Sequence, residues 1–164
     1  MRKPLAVTFA LGLGLASFAV WQGIAQTVGV DGEIVAMPAS VDVEAGATLY
    51  AESCAACHGA ELEGQADWQV PGDDGRLPAP PHDASGHTWH HSDRLLFEYT
   101  ALGGAEVMAR MGVEFDSGMP GFSGALTDQE IWNILAFIQS TWPERLREAQ
   151  AQRTTADLAE QVAQ

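Results

Sequence analysis

The chain has 164 residues, enough for one modest domain with appendages, and a net charge of −14 from 22 acidic residues against eight Lys and Arg. That balance excludes nucleic acid as a partner, because the phosphate backbone is bound by neutralising cations. An acidic surface is instead expected to be steered toward basic docking patches on other proteins.

In chain order, Arg2 and Lys3 form a short positive start, and Leu5 to Val20 is an apolar run. Gly23-Ile24-Ala25 offers a small-residue cleavage site before Gln26. Residues 1–25 therefore read as an export signal, with an uncleaved membrane anchor or tether as the alternative. Either reading predicts a periplasmic location. Lys3 is the only lysine, so cleavage would leave six arginines as the strong cations. Residues 26–41 carry glycine and proline without periodicity and read as a linker.

The domain proper is expected over residues 42–143. Asp42 is a good N-cap, with Glu44 in the first turn of a helix that carries Val43, Ala47, Leu49 and Tyr50 toward Cys54. From Gly59 to Asp93, glycine and proline recur too often for a long helix or strand. A loop of that length is uncommon in a compact domain, unless it wraps something other than protein. Ser92-Asp93 caps a helix over Arg94 to Leu102, with Leu95, Leu96, Tyr99 and Leu102 as its stripe, and Gly103-Gly104 ends it. A shorter turn is expected over Glu106 to Met111, then loop from Gly112 to Gly124. Thr127 and Glu130 form a capping box for a helix through Trp142, with Ile131, Ile134, Leu135 and Ile138 at helical spacing. Residues 144–164 read as a polar helix or tail without an apolar face, solvated or frayed.

The chemistry lies in Cys54-Ala55-Ala56-Cys57-His58, which contains both cysteines of the chain. A thioredoxin-like pair needs a surrounding βαβ pattern, and a zinc half-site needs a second pair of ligands. Neither is present in the sequence. Haem attachment needs nothing more: two thiols add to the vinyl groups, and the adjacent imidazole ligates iron. His58 is thus the candidate proximal ligand. His82, His87, His90 and His91 are the other histidines, crowded into ten positions. They read as solvated or as donors to haem propionates and backbone carbonyls. The alternatives are a second metal, copper or zinc, or one imidazole acting as a second iron ligand.

Three helical segments, a haem motif ending the first and a late methionine in a loop resemble the class I cytochrome c family. The resemblance covers roughly Val43 to Trp142. It implies an all-α fold, a small helical domain wrapped around one covalent haem c. Gly46 and Tyr50 match the family positions where the terminal helices cross, with Phe137 and Ile134 opposite. Ser117-Gly118-Met119-Pro120 matches the loop of the sixth ligand, which implies Met119; Met108, Met111 and Met37 are rivals. The family places a carbonyl from a proline-containing loop against the proximal histidine, which points to Pro80 or Pro81, Pro80 preferred. Arg76, Trp68 and Trp89 are the candidates for anchoring the propionates.

The expected function is that of a periplasmic carrier of one electron, not an enzyme, with redox proteins as partners. The alternatives are a tethered cytochrome subunit of a larger oxidoreductase and a haem protein with an auxiliary copper site in the histidine-rich loop.

Overall fold

The structure is a computed structural model and describes residues 35–163; the export segment expected over residues 1–25 lies outside them. The described chain is helical, with no strand among the described residues. α1 (Val43–Ser53) runs into a single turn, α2 (Ala55–His58). A long loop with a 3₁₀ turn at Thr88–His90 leads to α3 (Asp93–Leu102) and α4 (Gly104–Arg110). α5 (Asp128–Ser140) and α6 (Glu144–Val162) complete the fold. No helix among the described residues is long and apolar enough to cross a membrane.

Local chemistry sets the helix starts. The Asp42 carboxylate accepts from the Glu44 and Ala45 N–H groups, and the Ser92 hydroxyl accepts from Leu95 N–H. Thr127 and Glu130 form the reciprocal capping box at the start of α5. α5 stops at Ser140 rather than reaching Trp142, two residues short of the expectation, because Pro143 lacks the N–H needed to continue the ladder.

The core forms where α1 and α5 cross. Gly46 makes that crossing close: a Cβ there would lie 2.0 Å from the Asn133 carbonyl oxygen. One turn on, Tyr50 packs against Phe137 with ring centroids 5.5 Å apart. Tyr50, Leu62, Ile134, Ile138, Trp142 and Leu146 make one buried cluster. Val35, Leu96, Phe97, Ala101, Ile131, Trp132 and Leu135 make the other.

Two readings change here. The buried face of α3 is Leu96, Phe97, Thr100 and Ala101, whereas Leu95, Tyr99 and Leu102 of the expected stripe are only half-buried. α6 is helical as expected, but it docks on α3 and the 3₁₀ turn rather than standing solvated or frayed. Polar contacts hold it. Asp93 is buried and accepts from Gln139 Nε2 at 3.0 Å, Gln150 Nε2 at 2.7 Å and Met37 N–H at 3.3 Å, while Thr154 Oγ1 accepts from Asp93 N–H. Arg94 reaches both carboxylate oxygens of Asp157. Residues 35–41, in the expected linker, join this clasp through Met37 and through Val35, whose N–H donates to Gln161 Oε1.

Candidate haem site

The site begins where α1 ends. Cys54 closes that helix, and its carbonyl accepts from both Cys57 N–H and His58 N–H. The helical turn that results puts Cys54 and Cys57, three residues apart, on one face, with His58 on the next position. Cys57 is exposed and Cys54 half-buried. Burial pushes the Cys54 thiol up to about 11, with Cys57 adding to it, so it is held as a thiol rather than a thiolate.

His58 is 7% exposed, and its Nδ1 lies 2.8 Å from the Pro80 carbonyl oxygen. A carbonyl only accepts, so Nδ1 carries the proton and donates, leaving Nε2 with the free lone pair. Burial pushes the His58 imidazole below its ordinary value, partly offset by that hydrogen bond, so the neutral ring of a metal ligand is favoured. Tyr50 supports the same turn from behind: its hydroxyl donates to the Gly59 carbonyl at 2.9 Å, and burial raises its phenol so that it stays a neutral donor.

Pro80 is held in place by Gly64. A Cβ at Gly64 would lie 2.4 Å from Pro81 N and 2.7 Å from Pro80 C, and its φ of +68° lies in the region where side chains are strained. Gly64 N–H also donates to the His58 carbonyl at 2.8 Å. Gln65 and Ala79 then pair across the base of the excursion formed by residues 66–78.

Met119 is placed by a separate segment. Its carbonyl accepts from Gly104 N–H at 3.2 Å, and its own N–H donates to Ser117 Oγ at 3.2 Å. Phe122 and Ser123 N–H donate to the Thr100 and Ala101 carbonyls, which lays the Met119-Pro120-Gly121 backbone along the end of α3. Met119 is half-buried, whereas its rival Met111 is 59% exposed, Met108 is half-buried on α4, and Met37 packs on the core cluster of α3 and α5.

The four other histidines face different partners. His82 stacks on His58 with centroids 4.0 Å apart and planes 24° off parallel, and Thr88 Oγ1 lies 2.8 Å from its Nδ1. Burial, then His58 and His87, push its imidazole down to about 3. A ring lying flat beside His58 is on the same face of any iron that His58 holds, which argues against His82 as the opposite ligand. His87 lies flat on Trp68, and His90 on Trp89. Among the described residues no three His, Cys, Asp or Glu side chains gather in a way that could hold a metal ion. Crowded in sequence, the four histidines pack against different rings. Of the proposed propionate anchors, Trp89 Nε1 already donates to the Gly86 carbonyl, and Arg76 Nε to Asp116.

These residues fit a covalent haem. The donor set is two thiols on one turn and a neutral imidazole with an oriented free nitrogen. Of the seven large apolar side chains exposed among the described residues, Val70, Leu77, Met111, Val113 and Phe115 lie in the two stretches on either side of α3–α4, and Val43 and Val162 lie elsewhere.

Comparison with known proteins agrees with this reading. Residues 43–142 match the model of the family described as Cytochrome c. No curated protein and no solved structure matches the chain.

Proposed function

The chain belongs to the cytochrome c family, and from that premise we propose that it carries single electrons in the periplasm on one covalent haem ligated by His58 and Met119. Membership makes it a haem-based electron-transfer protein that works with redox partner proteins, in a family whose members are in general electron carriers. The observation that supports His58 as the iron ligand is its Nδ1–Pro80 hydrogen bond, on the same turn as both cysteines.

Haem, when bound, supplies a reversible one-electron iron couple. The chain supplies the rest. Cys54 and Cys57 fix the ring covalently, so it is not lost between encounters. His58 offers Nε2, and the Pro80 carbonyl on its other nitrogen fixes the ring's orientation and strengthens it as a donor. Met119 offers a soft thioether, which favours the ferrous state and raises the potential relative to two imidazoles. With His58 and Met119 both engaged, no position on the iron would be left open to a substrate, which would suit outer-sphere electron transfer. The acidic balance of the chain suits a partner with a basic docking surface, and that encounter weakens as salt screens it.

The test is the mass and potentiometric titration of the protein matured in a haem-attaching periplasm. One haem per chain, a mature mass lacking residues 1–25 and a single one-electron wave support the proposal. More than one haem per chain contradicts it, and a mass that retains Met1 favours the tethered cytochrome subunit instead.

A further inference from the structure

Among the described residues one buried side-chain polar atom has no hydrogen-bond partner: Nδ1 of His87. Buried polar atoms are nearly always paired, so an orphan of this kind points to a partner that is not part of the polypeptide. Its surroundings say what that partner is. The His87 ring lies almost parallel to the Trp68 indole, 6° off and 5.2 Å between centroids, and edge-on to His91 at 5.3 Å. Neighbouring donors are engaged elsewhere: His82 Nδ1 with Thr88, Trp89 Nε1 with Gly86, Trp142 Nε1 with the His82 carbonyl. His87 is close enough to His82 to depress it, and His82 is stacked on His58. The orphan therefore lies in the loop that also carries the ring stacked on the His58 imidazole. α6 closes over the adjacent 3₁₀ turn.

A haem seated on Cys54, Cys57 and His58 brings two carboxylates that need donors once water is excluded. Of the residues that the sequence offered as anchors, Trp89 has its only side-chain donor engaged with Gly86, and Arg76 turns its Nε to Asp116 in an exposed pair. We propose that His87 holds a haem propionate, its Nδ1–H donating to a carboxylate oxygen under the cover of the Trp68 indole. The inference rests on the haem reading above, but it fails in a different measurement. It assigns one of the four clustered histidines to positioning the cofactor rather than to a second metal.

The test uses the haem-loaded protein. His87→Leu removes the donor, and His87→Asn returns an amide N–H near the position of Nδ1. His87→Leu is expected to shift the propionate-bending band in the resonance Raman spectrum and to lower the midpoint potential, since a less stabilised carboxylate charge favours ferric iron. His87→Asn is expected to restore both, and Trp68→Phe to leave the band in place. In the wild-type ferrous protein, the His87 Nδ1–H proton is expected to show a nuclear Overhauser contact to a propionate methylene, a readout that needs no variant. Absence of that contact overturns the proposal, assigning the orphan to an ordered water. A band unmoved in His87→Leu, or moved equally by Trp68→Phe, also overturns it, and a retained His/Met spectrum would leave the ligand assignment standing.

Discussion

Nδ1 of His58 lies 2.8 Å from the carbonyl oxygen of Pro80, 22 residues further along the chain. Gly64 makes the approach possible, since a Cβ there would lie 2.7 Å from Pro80 C. Gly64→Ala is expected to push the proline loop away from His58 and to cost about 1–3 kcal/mol through strain at positive φ. It should also raise the midpoint potential, because an imidazole without its acceptor is a weaker donor to ferric iron. Urea unfolding and a redox titration read the two effects. A lowered potential would contradict this role for Pro80.

Gly103 governs the other loop. Its φ is +87°, and a Cβ would lie 2.7 Å from Gly121 N and 3.0 Å from the Met119 carbonyl oxygen. Gly103→Ala is therefore expected to lift the segment that carries Met119. Stopped-flow binding of added imidazole to the ferric protein should become faster by about tenfold, the equivalent of roughly 1.4 kcal/mol of destabilised ligation. An unchanged rate would mean that Met119 is not held through this backbone contact.

The crossing of α1 and α5 has no room for a side chain at Gly46. Gly46→Val should cost about 3 kcal/mol by overpacking against backbone, a fall in Tm on the order of 10–20 °C for a domain of this size. Haem attachment should survive if maturation is carried out in the cold. A Tm within a few degrees of wild type would show that the helices can separate at little cost.

Acid should destabilise the fold through His91. Burial, followed by the charges of His87, His90 and Arg153, pushes its imidazole from 6.5 down to about 4. A histidine depressed in the folded state binds its proton more readily when unfolded, so its stabilisation is full above pH 6.5 and is lost as pH falls from 6.5 to 4. Tm measured across that window should drop less steeply in His91→Gln than in wild type. Some slope should remain, because His82 and His87 are depressed in the same direction. Identical slopes would remove His91 from the account.

The helices were legible where local chemistry decides them. Asp42, Ser92 and the Thr127–Glu130 box mark their own helix starts, and Gly46 with Tyr50 marks the crossing. What escaped was decided by contacts distant in sequence. α6 buries Leu146 and Gln150 and is held by Asp93–Gln150 and Arg94–Asp157, which leave no hydrophobic period to read. On α3, periodicity identified Leu96 but not the turn that places Phe97, Thr100 and Ala101 inward. Periodicity does not say which of two apolar faces meets protein. The four clustered histidines looked alike in sequence, and only the stacking of His82 on His58 and of His87 on Trp68 tells them apart.

The most direct test of the account is the optical spectrum of the ferric protein beside that of Met119→Ala. Sulfur-ligated ferric haem shows a weak charge-transfer band at the red end of the visible range. The account predicts this band in the wild type, its loss in Met119→Ala and a lowered midpoint potential in that variant. Persistence of the band in Met119→Ala would contradict the pairing of His58 with Met119 on which the proposed carrier rests.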